Sequence, residues 1–124
     1  MYSPFYLIHH GNFDTHDDQL SRQGILLERL STAMTTFMTD LQNQGLEDDI
    51  IVMTTSEFGR RSFENGANGT DHGGSAPHFI LGSNLNSSIY GGYPDLANLD
   101  NNDNLIHVID YRQIYASLIT EWFG

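Results

Sequence analysis

Apolar residues along the chain form three short runs and two helical stripes. Phe5-Tyr6-Leu7-Ile8-His9 is an aromatic and β-branched run ended by Gly11-Asn12, and it predicts a buried strand. Leu20, Leu27, Leu30, Met34, Phe37, Met38 and Leu41 then recur at three- and four-residue spacing. That spacing makes one apolar stripe and predicts a long helix. Asp17 and Asp18 are placed to cap its first turn. Gly45 is a suitable stop, with Leu46 able to fold back on the last turn. Ile50-Ile51-Val52-Met53 is a continuous apolar run, as in a parallel strand buried on both faces. Strand, helix, strand at this spacing predicts a right-handed βαβ unit.

Residues 59–75 are rich in Gly, Asn and Ser and read as a loop. Pro77-His78-Phe79-Ile80-Leu81-Gly82 is the third run and predicts a strand. A long polar connection follows over residues 83–104, a length that is usually functional or disordered. Asp110 is placed to cap a last helix with Ile114, Tyr115, Leu118, Ile119 and Trp122 as its stripe. There is no repeat and no linker, so residues 1–124 read as a single α/β domain or part of one.

Charge narrows the partners. The chain carries 16 acidic residues against 5 basic ones, all Arg, for a formal net charge of −11. This disfavours nucleic acid and anionic membrane surfaces. No apolar run is long enough for a transmembrane helix, and the start, Met1 to Phe5, lacks the basic region of a signal peptide. With no cysteine, disulfides, thiolate metal sites and a Cys nucleophile are excluded within this chain. Most of the acids read as solvated surface, but acids clustered at strand ends can also bind a cation.

Three polar clusters each sit beside an apolar run: Asp14 to Asp18, Thr55 to Arg60, and Gly69 to Gly74. In an open α/β sheet such strand ends are where ligands collect, so the three suggest one site. Asp14 and His16 are two apart and point the same way in extended backbone, as one divalent ion would require. The structural alternative is that Asp14, Asp17 and Asp18 only cap the helix. Glu57 directly follows the second strand. It is either a metal ligand, leaving Arg60 to hold an anionic oxygen, or one half of an ion pair with Arg60. Asp71-His72 lies between glycines that let backbone approach a ligand closely, and His72 is a candidate metal ligand or acid–base group. His9 or His10 would support a ligand, while His78 and His107 read as structural. Asp100-Asn101-Asn102-Asp103-Asn104 starts like a calcium loop. Leu105 and Tyr111 at its sixth and twelfth positions break the pattern.

These motifs resemble a known family. Gly11 to His16, Ser56 to Arg60, Glu64-Asn65, Gly69 to Gly73, Tyr90-Gly91-Gly92-Tyr93-Pro94 and Asp110 to Tyr115 occur in the order of the sulfatase-like family numbered 1501 among domains of unknown function. That family is placed with the alkaline phosphatase superfamily. The resemblance covers nearly the whole chain. It implies an α/β three-layer sandwich, with a mostly parallel sheet between helices and one or two divalent metals at strand ends. Zinc is implied ahead of calcium or manganese. It implies hydrolysis or transfer of a sulfate or phosphate ester, hence a small anionic ester substrate, and an exported origin. Carried over by position, the metal ligands are Asp14, His16, Glu57, Asp71 and His72, with Arg60 and His72 as catalytic groups. Phe58 stands where relatives have a histidine.

The superfamily's nucleophile belongs to a half that nothing upstream of Asp14 supplies. The expectation is therefore the C-terminal part of a larger enzyme, with a partial metal site and little turnover alone. Uncovered sheet edges would favour a homo-oligomer. Two rivals stay open: a metal-binding or assembly module without enzymatic activity, and a purely structural domain.

Overall fold

The computed structural model describes residues 5–86 and 88–124. The chain start read for a basic leader lies, but for Phe5, outside the described residues. The elements are α1 (Gln19–Gln44), β1 (Val52–Met53), β2 (Gly59–Arg60), β3 (His72–Gly73), β4 (Ile80–Leu81) and α2 (Tyr111–Glu121). The chain is thus a mixture of helix and small sheets, α/β in the general sense.

The long helix forms where its periodicity places it. Gly45 takes a left-handed φ of 66°, and the Leu46 amide donates to the Leu41 carbonyl at 2.9 Å. This is a glycine stop with the following leucine folded back. The start is less regular than expected. Asp18 occupies the cap position, but at φ 41° its side chain bonds no helix amide. It accepts instead from the Ser21 hydroxyl at 2.6 Å, while Asp17 pairs with Arg22. The buried face runs through Leu26, Leu30, Met34, Met38 and Leu41. Leu20, Leu27 and Phe37, counted in the expected stripe, lie exposed, and Leu26, which was not, joins the core. At α2 the expected cap forms, but the expected stripe does so only in part: Ile114, Leu118 and Trp122 are half-buried, while Tyr115 and Ile119 lie exposed. The Asp110 side chain accepts from the Arg112 amide and the Gln113 side chain accepts from the Asp110 amide, a reciprocal capping box.

The sheets depart from the expected architecture. β1 pairs antiparallel with β4, Val52 opposite Leu81 and Met53 opposite Ile80. β2 pairs antiparallel with β3, Gly59 opposite Gly73 and Arg60 opposite His72. Among the described residues there is no parallel ladder, so the mostly parallel three-layer sandwich and its βαβ unit are not formed. Residues 5–9 belong to no strand, and Leu7 is 91% exposed. The physical reason is cover. A parallel ladder needs both faces buried, yet among the described residues the only buried apolar side chains are Leu26 and Leu41.

The segment 59–75 is more than a loop, because it contains the β2–β3 pair. Its glycines make the pair possible. A Cβ at Gly59 would lie 1.7 Å from the Ser75 carbonyl oxygen, and one at Gly73 would lie 2.5 Å from the Arg60 carbonyl carbon. The described residues of 83–104 run largely without regular structure, as expected. Leu99 and Leu105 form an isolated bridge around the Asp100 loop, where the Asp100 carboxylate accepts from the Asn102 and Asn104 amides. That carboxylate is engaged by its own turn.

Candidate metal centre

The β2–β3 pair carries Arg60 and His72 side by side, and the segment ahead of α1 is laid against it. Thr15 anchors that segment. It is fully buried, and its carbonyl accepts from the Thr70 amide at 3.2 Å. Gly69 permits the contact, since a Cβ there would fall 2.2 Å from the His16 carbonyl carbon. The Asp18 and Gln19 amides donate to the Ala67 and Asn68 carbonyls, tying the helix start to the same loop. Asp14 and His16 do share a side, though not through extended backbone. The chain bends tightly here, with the Thr15 amide donating to the Phe13 carbonyl and the His16 amide to the Asp14 carbonyl. The bend brings the two side chains into direct contact.

Three side chains converge. His16 Nε2 lies 2.9 Å and His72 Nε2 3.0 Å from the same oxygen, Asp14 Oδ1. These ligand atoms all lie within 4.8 Å of one another, and each residue keeps a solvent-facing side. The donor set is two imidazole nitrogens and one carboxylate, a borderline set suited to zinc. At ~2.0–2.1 Å bonds, tetrahedral ligands stand about 3.3 Å apart. The two contacts to Asp14 therefore need to open by only a few tenths of an ångström to admit an ion, and the two imidazole nitrogens lie within 4.8 Å of each other. The residues fit a divalent metal.

Arg60 is the cation of the site. Its Nη1 donates to Asp14 Oδ1 at 2.5 Å, its Nε to Thr70 Oγ1 at 3.0 Å, and its Nη2 to the Thr70 carbonyl. Three of the five guanidinium N–H donors are thus engaged within the chain, and the side chain is only 18% exposed. The expected alternative pair with Glu57 is absent: among the described residues Glu57 joins neither Arg60 nor the three-residue cluster. It sits exposed in the bend before β2.

Asp71 stands behind His16. Its Oδ1 lies 3.2 Å from His16 Nδ1, the ring nitrogen that faces away from Asp14. Burial raises the Asp14 carboxyl, but hydrogen bonds from Arg60 and His72 and the charge of His16 outweigh it. The net result holds Asp14 below the usual carboxylate value. Asp71 is held low chiefly by the Asn65 hydrogen bond and then by His16.

Some participants were not apparent in the sequence. Phe58, noted there only as the replacement of a histidine, stacks on the His72 ring at 3.6 Å and 12°. Thr15 gave no signal beyond lying between Asp14 and His16. The Gly-Thr-Asp-His order signalled a close approach, but not which backbone it would meet. His10 packs against Phe13, and His78 bonds the Thr54 carbonyl, so neither joins the cluster. His107 lines an open surface pocket near α2.

Residues 3–118 match the family described as "Protein of unknown function (DUF1501)", and the chain belongs to that family. No curated protein and no solved structure matches it.

Proposed function

We propose that this member of the DUF1501 family holds a divalent metal ion on Asp14, His16 and His72, and that the centre serves hydrolysis or transfer of sulfate or phosphate esters. The observation that carries the metal reading is the meeting of two imidazoles on one carboxylate oxygen, across 58 residues of sequence between Asp14 and His72. The ester chemistry and the link to the alkaline phosphatase superfamily rest on the motif resemblance.

A bound divalent ion would polarise an ester oxygen and make water or a hydroxyl a stronger nucleophile. The chain's residues supply the rest. Arg60, fixed by Asp14 and Thr70, has two N–H donors left to orient an anionic ester group. Phe58 covers one face of His72 and keeps water from it. Glu57 and Asp71 are not in the ligand cluster, and Asp71 contributes through His16.

The test is direct. Zinc, manganese and calcium are titrated into the protein by calorimetry, and hydrolysis of an aryl phosphate and an aryl sulfate is followed. One zinc per chain is expected. Asp14→Ala or His72→Ala should weaken it by more than the ~100-fold upper range seen for outer-shell changes. A folded wild-type protein that binds none of the three ions would sink the metal reading.

A second reading is favoured by one observation: the hydroxyls nearest these motifs are occupied. Ser56 Oγ donates to the Phe58 carbonyl, Ser75 Oγ to the Leu105 carbonyl, and Thr70 Oγ1 accepts from Arg60. In this reading the chain is a metal-binding assembly module. Metal binding with no ester hydrolysis, lost in the same variants, would select it.

Self-association belongs to the proposal. The chain exposes 9701 Å². A folded monomer of its 13.9 kDa exposes about 6,700 Å². The surplus of about 3,000 Å² per chain would make a two-chain interface of about 6,000 Å² in total, at the top of the range that obligate assemblies bury. Sedimentation equilibrium should show a dimer or larger, and a monomer at tens of micromolar would remove this part.

A further inference from the structure

Phe58 lies against two of the proposed working groups. Its ring stacks on the His72 imidazole at 3.6 Å with 12° between the planes, and the Arg60 guanidinium carbon stands 5.9 Å from its centroid. The local sequence explains the placement. Residues two apart in extended chain share a face, so Phe58 and Arg60 emerge together on either side of Gly59. Gly59 is pressed against the Ser75 backbone, where a Cβ would fall 1.7 Å from the carbonyl oxygen. The Ser56 hydroxyl donates to the Phe58 carbonyl at 2.8 Å, and the Thr55 hydroxyl meets the Tyr115 hydroxyl of α2 at 3.3 Å. The β2–β3 register, continued by one residue, puts Phe58 opposite Gly74. Gly74 has no side chain, which leaves the ring room to cover His72 on the diagonal.

The two imidazoles are held differently. His16 is engaged at both ring nitrogens, by Asp14 and by Asp71. Among the described residues His72 is engaged only at Nε2, by Asp14 at 3.0 Å. One hydrogen bond fixes one atom and leaves the plane of the ring to turn about it. The His16 ring lies 4.8 Å away and tilted by 41°, so it makes no parallel stack. The near-parallel contact with Phe58 is what sets the plane. We infer that Phe58 is a positioning residue that holds the His72 ring and the Arg60 guanidinium in one fixed relation, so that the metal and the free N–H donors address the same tetrahedral oxyanion. The inference rests on the reading of Asp14, His16 and His72 as a metal centre and extends it to a residue that can neither ligate nor titrate. Stacked aromatic rings gain beyond the area they bury, and a guanidinium within about 6 Å of a ring centroid is attracted to it. A leucine fills much of the same volume and supplies neither.

The experiment compares the wild type with Phe58→Leu and Phe58→Tyr. It follows the NMR shifts of the His72 ring protons, zinc affinity by calorimetry, and the affinity of inorganic phosphate for the protein with and without zinc. A stacked ring shields the protons above it, so the wild-type His72 ring protons should lie upfield of those of an unstacked histidine. Phe58→Leu should lose that displacement and weaken zinc binding ~2–10-fold, the span of one aromatic contact. Phosphate binding should weaken by a similar factor. Phe58→Tyr keeps the ring and should retain all three, which separates positioning from filled volume. Should Phe58→Leu fail to fold, Phe58→Met takes its place, since methionine adapts to irregular gaps. Unshifted His72 ring protons in the wild type overturn the inference, as do unchanged zinc and phosphate affinities in Phe58→Leu. Wild-type protein that binds no zinc removes the metal reading alone. Phosphate binding to the metal-free protein, weakened in Phe58→Leu and kept in Phe58→Tyr, then supports the role of Phe58, and phosphate binding that is absent or indifferent to Phe58 overturns it.

Discussion

Two regions of this molecule reverse the usual relation between polarity and order. The segment 5–9 is as apolar as any in the chain, yet Tyr6, Leu7 and Ile8 stand in solvent. The knot formed by residues 14–18 and 59–75 is polar and glycine-rich, yet backbone and side-chain hydrogen bonds tie its two segments together. The difference lies in how each interaction is satisfied. Apolar burial is non-directional and needs enough surface from elsewhere to cover it. Hydrogen bonds are local and directional, and a loop can complete them with its own amides and carbonyls. The chain supplies the second and falls short of the first.

Three experiments bear on that contrast. The largest effect is expected at Gly69→Ala, because the new methyl would meet His16 backbone and not a flexible side chain. Displacing that backbone should cost about 1–3 kcal/mol, the usual range for overpacking, and should weaken zinc binding along with it. A Gly69→Ala protein with wild-type melting temperature and zinc affinity would show that the knot does not depend on this close approach.

Acid should act more gently, on the same region and on the Asp110 cap of α2. The Asp14, Asp71 and Asp110 carboxyls are held below their ordinary value of 3.8 in the folded chain. For Asp14, burial pushes the other way and Arg60 prevails, while Asn65 and Arg112 are the leading causes at Asp71 and Asp110. A folded-state pKa below the unfolded one means stability that is present above the unfolded value and lost as pH falls through the folded one. Melting temperatures of metal-free protein should therefore hold at pH 6 and fall below about pH 4. These groups are exposed, so solvent and salt screen the effect. A flat profile down to pH 2 would show that neither the knot's ion pairs nor the α2 cap contributes to folding.

The smallest effect on the single chain is expected at Leu7→Ser. A side chain that touches little should shift stability by less than about 0.5 kcal/mol. The same change should weaken self-association measured by sedimentation. A strong destabilisation without loss of assembly would mean that the segment is buried within the chain in solution.

Much of the local structure could be read from residue order. The α1 helix with its Gly45 stop and the Asp110 cap of α2 are properties of a few neighbouring residues, and each holds in the folded chain. The sheet was not legible in the same way. Ile50 to Met53 reads as a strand buried on both faces, but only Val52–Met53 pair, antiparallel and half buried. Burial on both faces depends on what other segments bring to the strand, which its own composition does not state. Phe5 to His9 failed as a strand for the same reason.

The candidate site divides along that line. The sequence by itself determined which residue types were available: a carboxylate and an imidazole two apart, an arginine after a strand, and an Asp-His pair between glycines. Spacing within a motif was enough to propose Asp14 and His16 as ligands of one ion, while Glu57, Asp71 and His72 were joined to them as one ligand set through the family resemblance. The tertiary structure decided which of them meet. It set both imidazoles on Asp14, turned Arg60 to Asp14 and Thr70, put Asp71 behind His16, and left Glu57 outside. Those outcomes hang on the close approach of Gly69 to the His16 backbone and on the β2–β3 register. A register is a relation between distant segments, fixed by sterics and hydrogen bonds that exist only once both are in place.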